Sequence, residues 1–355
     1  MKIDVQQSTK SFSRLYIPIA LETLCYMLAG IADTIMLSSV GDDAVGAVGT
    51  TNTYISVFII MFGVVSSGMI AVMTQYIGAG QVGVAYQARQ LGAVFNLALG
   101  VLLSLFLGIF SENILEVVGV APLLMGHAKT YLRIVGGACF LNALLPIFSS
   151  YLRAFGHTKE SLAASLLGNA VNLGLNAVFL FVFHWGVAGV AIATVISRVL
   201  NLVMVAAVSG LLIHAKESPE RLKNSEVFAK IIKVGLPSAL ETALYNVAMT
   251  LTIRFLNQMD VAGLNVTARA YASQIANLSY CAGAALAQAN AIMTGWRMGE
   301  GNYEACDKGT KQAAIIGICV AAGLEALFAL NTKPLVGLFT DDAEMITLVG
   351  KLLVC

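Results

Sequence analysis

A succession of long apolar runs with almost no charge inside them constrains this chain more than any other feature. The runs fall at about 15–40, 53–77, 86–110, 131–152, 162–183, 186–213, 231–256, 266–294 and 312–331. Each has the ~20 mostly apolar residues that a helix needs to cross a bilayer. A tenth starts near 343 and stops at Cys355, too soon to cross. Backbone polar groups in lipid must be satisfied within the protein, which allows only helices or closed barrels. The period-two alternation of barrel strands is absent. The chain therefore reads as an all-α polytopic membrane protein.

Composition supports this and removes other classes. Hydrophobic residues make up 58% of the chain and charged residues only 12%, where soluble domains carry about a quarter charge. Long apolar runs with little charge are incompatible with disorder. A net charge of +1 with no basic tract argues against a nucleic-acid partner. The six cysteines show no CxxC spacing and the four histidines no HExxH spacing. No GxSxG, Walker A or GxGxxG motif appears in a soluble context, so neither an enzyme nor a bound cofactor or metal centre is expected. The polar start MKIDVQQSTKSFSR leads into a run long enough to span, which predicts a retained first helix rather than a cleaved signal peptide.

Lys and Arg set the orientation, because cytoplasmic loops carry the excess of them. Of the 21, Lys129, Arg133, Arg254, Arg269 and Lys333 fall on the far side from the N-terminus, and Arg198 and Lys351 lie within runs. The remainder, including Lys2, Lys10, Arg89, Arg153, Lys216, Arg221, Lys230 and Lys308, fall on the N-terminal side. This predicts a cytoplasmic N-terminus in the plasma (inner) membrane, with membrane lipid as an obligatory partner.

The chain also repeats itself. Pro18-Ile-Ala-Leu-Glu22-Thr23 opens the first run, and Pro237-Ser-Ala-Leu-Glu241-Thr242 opens the seventh. Tyr26 and Tyr245 match at the same offset of 219 residues, and Gly78-Ala-Gly80 corresponds to Gly299-Glu-Gly301 at 221. A repeat of six spans is even, so both copies enter the membrane from the same side. The expected architecture is two six-helix lobes related by a pseudo-two-fold along the membrane normal, with the second lobe incomplete. The predicted organisation is a first lobe at 1–213, a cytoplasmic linker at 214–230 and a second lobe at 231–355, ending within its tenth span. A C-terminally truncated sequence is expected on that count.

Polar residues inside the runs are expensive there and mark function by default. Asp33, with no Lys or Arg near it in sequence, can take up and release a proton or ligate Na⁺; an acid wetted near the outer interface is the plainer alternative. Asn172 and Asn176 share a helix face and can ligate a cation or bond a protonated carboxyl, or can join helices. Thr194 offers a hydroxyl nearby. Glu22 and Glu241 each follow a helix-bending proline, Pro18 or Pro237, by one turn. Satisfaction of freed backbone groups and ion coupling compete as their use. Arg198 lies mid-run and needs a partner, with Glu22 and Glu241 as the best candidates and substrate contact as the alternative. Gln75 and Gln288 either line a cavity or bond between helices.

These stretches resemble the multidrug and toxic compound extrusion (MATE) transporters nearly throughout. The matching segments are Pro18–Glu22, Ala32-Asp33-Thr34-Ile35-Met36, Gln75-Tyr-Ile-Gly78-Ala-Gly80 and Tyr151-Leu-Arg153-Ala-Phe-Gly156-His-Thr158-Lys159. Asn172–Asn176, Gly189-Val-Ala-Ile-Ala193-Thr194, Gly235-Leu-Pro237 and Gly299–Ala305 complete the set. The resemblance implies twelve helices in two lobes around a central cavity. It implies export of small organic cations or drugs by a monomer, through H⁺ or Na⁺ antiport and alternating access. It places ion coupling on Asp33 and helix bending on Pro18. The family's span-five pair is often Asn then Asp, and here it is Asn172 and Asn176. The nearest match to a functional glutamate of span seven is Glu241. A lipid-linked oligosaccharide flippase of the same superfamily is the alternative transporter, disfavoured because Arg198 is the only basic residue deep in the runs. A non-transporting membrane receptor or scaffold is the alternative of another class.

Overall fold

The computed structural model describes residues 12–117, 120, 122–215, 218–259, 264–336 and 343–354. Lys2, Lys10, Lys216 and Cys355, which entered the reasoning above, lie outside the described residues. Every regular element described is helical. The first half comprises α1 (Phe12–Ser38), α2 (Asp42–Gly78), α3 (Val82–Ile109), the short α4 (Ser111–Val117), α5 (Pro122–Tyr131), α6 (Phe140–Ala154), α7 (Thr158–Ala177) and α8 (Gly186–Leu212). The second comprises α9 (Asn224–Met259), α10 (Leu264–Gly299), α11 (Tyr303–Leu330), the short α12 (Thr332–Val336) and α13 (Ala343–Val354).

Every expected run coincides with helix, but the spans are less uniform than hydropathy predicts. Six helices among the described residues are long and apolar enough to cross a membrane, and a seventh span is a bent pair. That pair is α5, continued by a π-turn, with α6, whereas the expected run at 131–152 begins only where α5 ends. A π-helical turn at Leu132–Gly136 and the following Gly137 interrupt it, and its halves meet at 46°. An extra residue in one turn shifts the backbone bonding register, which is a recognised cause of kinks. A second π-turn, Val178–Val182, extends α7. The 36-residue α9 and α10 are long enough to span, yet residues such as Thr242, Asn246 and Gln288 break their apolar windows. Gln288 bonds across to the first half, as described below.

Three turns on the face where α1 begins (the N-terminal face) are built alike. Each helix end is followed by a glycine in the left-handed region: Gly80 at φ +76°, Gly156 at +80° and Gly301 at +77°. The next amide reaches back five residues, from Gln81 to the Tyr76 carbonyl (2.8 Å), from His157 to Leu152 (2.9 Å) and from Asn302 to Arg297 (2.9 Å). The glycine amide bonds Ile77, Arg153 or Met298. This Schellman arrangement satisfies carbonyls that a helix end leaves unpaired, and the positive φ favours glycine.

The halves meet in a pattern that the repeat explains. Helix α2 packs on α9, and α1 packs on α10. Exchanging α1 with α9 and α2 with α10 turns the first contact into the second. The self-paired contact, α2 against α10, lies where the pseudo-axis passes. There a Cβ on Gly78 would strike the Trp296 backbone, and a Cβ on Gly299 would strike the Gln75 carbonyl. Gln75 and Trp296 are themselves partners at the offset of 221, so the contact is reciprocal. Helix α2 approaches α9 as closely: a Cβ on Gly68 would meet the Ile231 carbonyl, and one on Gly235 the Val64 carbonyl.

Apolar packing is divided in the same way. One core joins both halves, from Leu15, Ile19, Met69, Met73, Tyr151 and Ile231 to Ala289, Ile292 and Trp296. A second, around Leu37, Phe62, Leu107 and Leu132, belongs to the first half alone. A third, around Ala268, Ile275 and Phe328, belongs to the second alone. The shared core lies toward the N-terminal face, where Trp296 Nε1 also donates to the Ala154 carbonyl (2.9 Å). The connection before α9 is fastened to α3, with Arg221 donating to the Gly83 carbonyl (2.9 Å) and Gln87 bonding Leu222 and Asn224. The halves are thus sealed together at that face. Helix α9 begins at Asn224 rather than at the expected 231, because its first two turns are polar and precede the apolar run.

Candidate functional site

Two polar clusters form inside the first half, both between α1 and α7. The upper one is the site expected from Asp33. Asn176 Nδ2 donates to Asp33 Oδ1 at 2.7 Å. The amide nitrogen of Asn172, turned toward the carboxylate, donates to Oδ1 at 2.9 Å and Oδ2 at 3.2 Å. With the amide reversed, its oxygen would face only acceptors. The four-residue spacing in α7 stacks the two amides one turn apart, and α1 lays Asp33 against both. Asn172 and Asn176 are buried and Asp33 is half-buried. The Asn176 Oδ1 atom is buried without a hydrogen-bond partner.

Thr194 is buried on α8, and its hydroxyl proton goes to the Val190 carbonyl of its own helix (2.8 Å). That proton is thus spent within α8 rather than on Asp33. Arg198 is one turn further along α8. Tyr131 is buried at the end of α5.

The lower cluster is built on Glu22. Its Oε1 pairs with Arg153 Nη2 at 2.8 Å and accepts from Ser165 Oγ at 2.6 Å. Ser161 Oγ lies 3.3 Å from Oε2. Arg153 Nη1 continues the chain to Gln288 Oε1 of α10 at 2.8 Å, so the network crosses from one half to the other. Pro18, one turn before Glu22, lacks the N–H that would bond the Arg14 carbonyl. The Thr158 hydroxyl takes that carbonyl instead, at 3.0 Å, and α1 stays helical through the proline.

The partner expected for Arg198 is thereby corrected. Glu22 is committed to Arg153, and Glu241 is exposed on α9. Pro237 is exposed too, within an uninterrupted α9. Gln75 is half-buried where α2 crosses α10, and Gln288 serves as the link to Arg153. By its position at the end of an apolar run Arg153 reads as a loop charge, although it lies in the last turn of α6 with its side chain largely covered.

Residues 18–178 and 237–354 match the model of the family described as MatE. The chain belongs to the MatE family. Two curated relatives of this MatE chain extend over most of it. It is 30% identical over 351 residues to the "Uncharacterized transporter YisQ" of Bacillus subtilis, a match covering 97% of this chain and 77% of that protein. It is 26% identical over 374 residues to the "Probable multidrug resistance protein NorM" of Thermotoga maritima, covering 97% and 75% respectively. Among solved structures, an outward-facing multidrug resistance MATE family transporter superposes with a TM-score of 0.86 at 23% identity, over 99% of this chain and 78% of that one. That likeness shows the fold. The family is one of transporters, and this MatE chain is a multi-pass membrane member of it.

Proposed function

We propose that this MatE chain is a secondary active efflux transporter that exports small organic cations or drugs by H⁺ or Na⁺ antiport. In this reading it is a monomer in the cell membrane with a cytoplasmic N-terminus. The observation that carries the proposal is the Asp33 cluster: a carboxylate inside a span, two amides on it, and one amide oxygen without a donor.

Both amides donate in the arrangement described, which suits an ionised, ion-free carboxylate. A proton on Asp33 turns one carboxyl oxygen into a donor, whose proton an Asn176 or Asn172 oxygen can accept once that amide turns over. A Na⁺ would need that same oxygen and the carboxylate as ligands. Either ion reverses the amide preference and loosens the α1–α7 contact that the donors hold. Ion binding then favours whichever seating of α1 accommodates the loaded site, and only such differential affinity can drive alternating access. The sealed N-terminal face corresponds, on the orientation given by Lys and Arg, to a state closed toward the cytoplasm.

The test is gradient-driven efflux in proteoliposomes, with a pH gradient and a Na⁺ gradient imposed separately. Asp33→Asn keeps the shape and removes the exchangeable charge. We expect coupled efflux to fall to background for the ion that is used. Undiminished efflux by Asp33→Asn under both gradients would rule out this site.

A further inference from the structure

Arg89 is held in an aromatic cage that antiport through Asp33 does not use. It lies on α3, half-buried. Its guanidinium carbon stands 4.6 Å from the centre of the Tyr86 ring, one turn earlier on the same helix. The Phe148 and Tyr151 rings of α6 are 5.4 Å and 4.9 Å away. Rings at such distances fix a cation and keep water from its faces, but they carry no net charge to balance it. Arg89 takes part in none of the ion pairs among the described residues, and its Nε is buried without a hydrogen-bond partner. A second guanidinium, that of Arg221, lies 5.7 Å from the same Tyr86 ring. The carboxylate that comes to this end of α3, Glu220, lies against Gly83, nearly two turns before Arg89. Tyr86 Oη accepts from Gln90 Nε2 at 3.2 Å, which leaves its own proton to give.

The depth of the cage follows from the helix that carries it. The 28 residues of α3 make a helix about 42 Å long, some 12 Å more than the ~30 Å hydrocarbon core. Arg89 comes about 10 Å from its start, and its side chain folds back over Tyr86 toward the N-terminal face. The guanidinium therefore stands near the boundary between acyl chains and headgroups. From there an exposed apolar stripe runs along α3 toward the middle of the membrane. Gln90 is followed at helical spacing by Val94, Leu97 and Val101, all exposed, whereas Gly92, Asn96, Gly100 and Leu103 are buried.

We propose that the groove between α3 and α6 at the N-terminal face binds one anionic phospholipid. Its phosphodiester is held by the Arg89 fork and the Tyr86 hydroxyl, and one acyl chain lies along Val94, Leu97 and Val101. A phosphodiester supplies the acceptor oxygens that a guanidinium fork matches. Basic pockets between helices on the cytoplasmic side suit such headgroups. A zwitterionic lipid brings its own ammonium to a cage where Arg221 already adds positive charge, so the net charge of the headgroup decides. The site stands apart from Asp33 and does not depend on the efflux reading.

The experiment measures lipid retention by native mass spectrometry of the purified protein. The probes are phosphatidylglycerol and phosphatidylcholine with the same acyl chains, offered in equal amounts. Wild-type protein is expected to keep phosphatidylglycerol preferentially. Arg89→Gln should cut that retention by about tenfold, the size of one lost charged hydrogen bond, and leave phosphatidylcholine unchanged. Arg89→Lys should keep part of the preference. A wild type that holds both lipids alike, or an Arg89→Gln variant that loses both alike, would overturn the proposal. Inorganic phosphate and glycerol phosphate, each added in excess, separate a lipid from a free anion. Retention of phosphatidylglycerol in their presence supports the lipid, and its displacement by either would overturn that assignment. If Arg89→Gln does not fold, the wild-type comparison and Arg89→Lys still decide.

Discussion

Glu22 and Arg153 form the one ion pair among the described residues in which both side chains are largely buried, at 10% and 14% exposure. Removing one partner strands the other charge, at a cost of about 3–5 kcal/mol. Arg153→Gln should therefore lower thermal stability in detergent sharply, and adding Glu22→Gln should restore part of it. A double variant no more stable than the single would mean that the pair is not the unit at stake. How much of this could be read from sequence differs by residue. The four-residue spacing of Asn172 and Asn176 was legible, and so was Asp33 as a misplaced acid. That α1 brings Asp33 onto both amides was not, because 143 residues separate Asp33 from Asn176 and periodicity reports only local neighbours. Glu22 and Glu241 look equivalent in sequence yet differ in burial.

Hydropathy located the helices because it reports burial in lipid, which dominates their composition. It could not report the register of backbone bonds, so the π-turns and the 46° bend passed unseen. The polar turns that begin α9 were missed because they lie outside the apolar run. The glycine pairs stand out in the sequence as corresponding positions of the repeat, but their two members do different work. Gly80 is needed for its left-handed φ, with open space where a Cβ would go. Gly78 is needed because the α10 backbone occupies that space. Gly80→Ala should therefore cost only the conformational penalty, about 1–2 kcal/mol, and Gly80→Asn less, since Asn also adopts this conformation at helix ends. Thermal unfolding of the two variants side by side checks this. An alanine variant as stable as wild type would show that the turn relaxes to a negative φ.

At the scale of the whole molecule, the halves share a core at the N-terminal face and keep separate cores beyond it. The shared seam runs along α2, which meets α9 near Gly68 and α10 near Gly78. Because the α2–α10 contact is reciprocal, it also has a genetic consequence. A methyl group at Gly78 and one at Gly299 press on the same pair of helices from opposite sides of one axis. Either alone must spread them, at the cost of an overpacked contact, about 1–3 kcal/mol. Once they are spread, the second methyl enters space already opened. The pair should therefore show strong positive epistasis, with Gly78→Ala/Gly299→Ala barely less stable than the worse single variant, whereas distant substitutions simply add. A sum of the two single losses, measured by thermal unfolding, would show that the two glycines act at independent contacts. A lineage that had lost one of these glycines would be under little further constraint to keep the other.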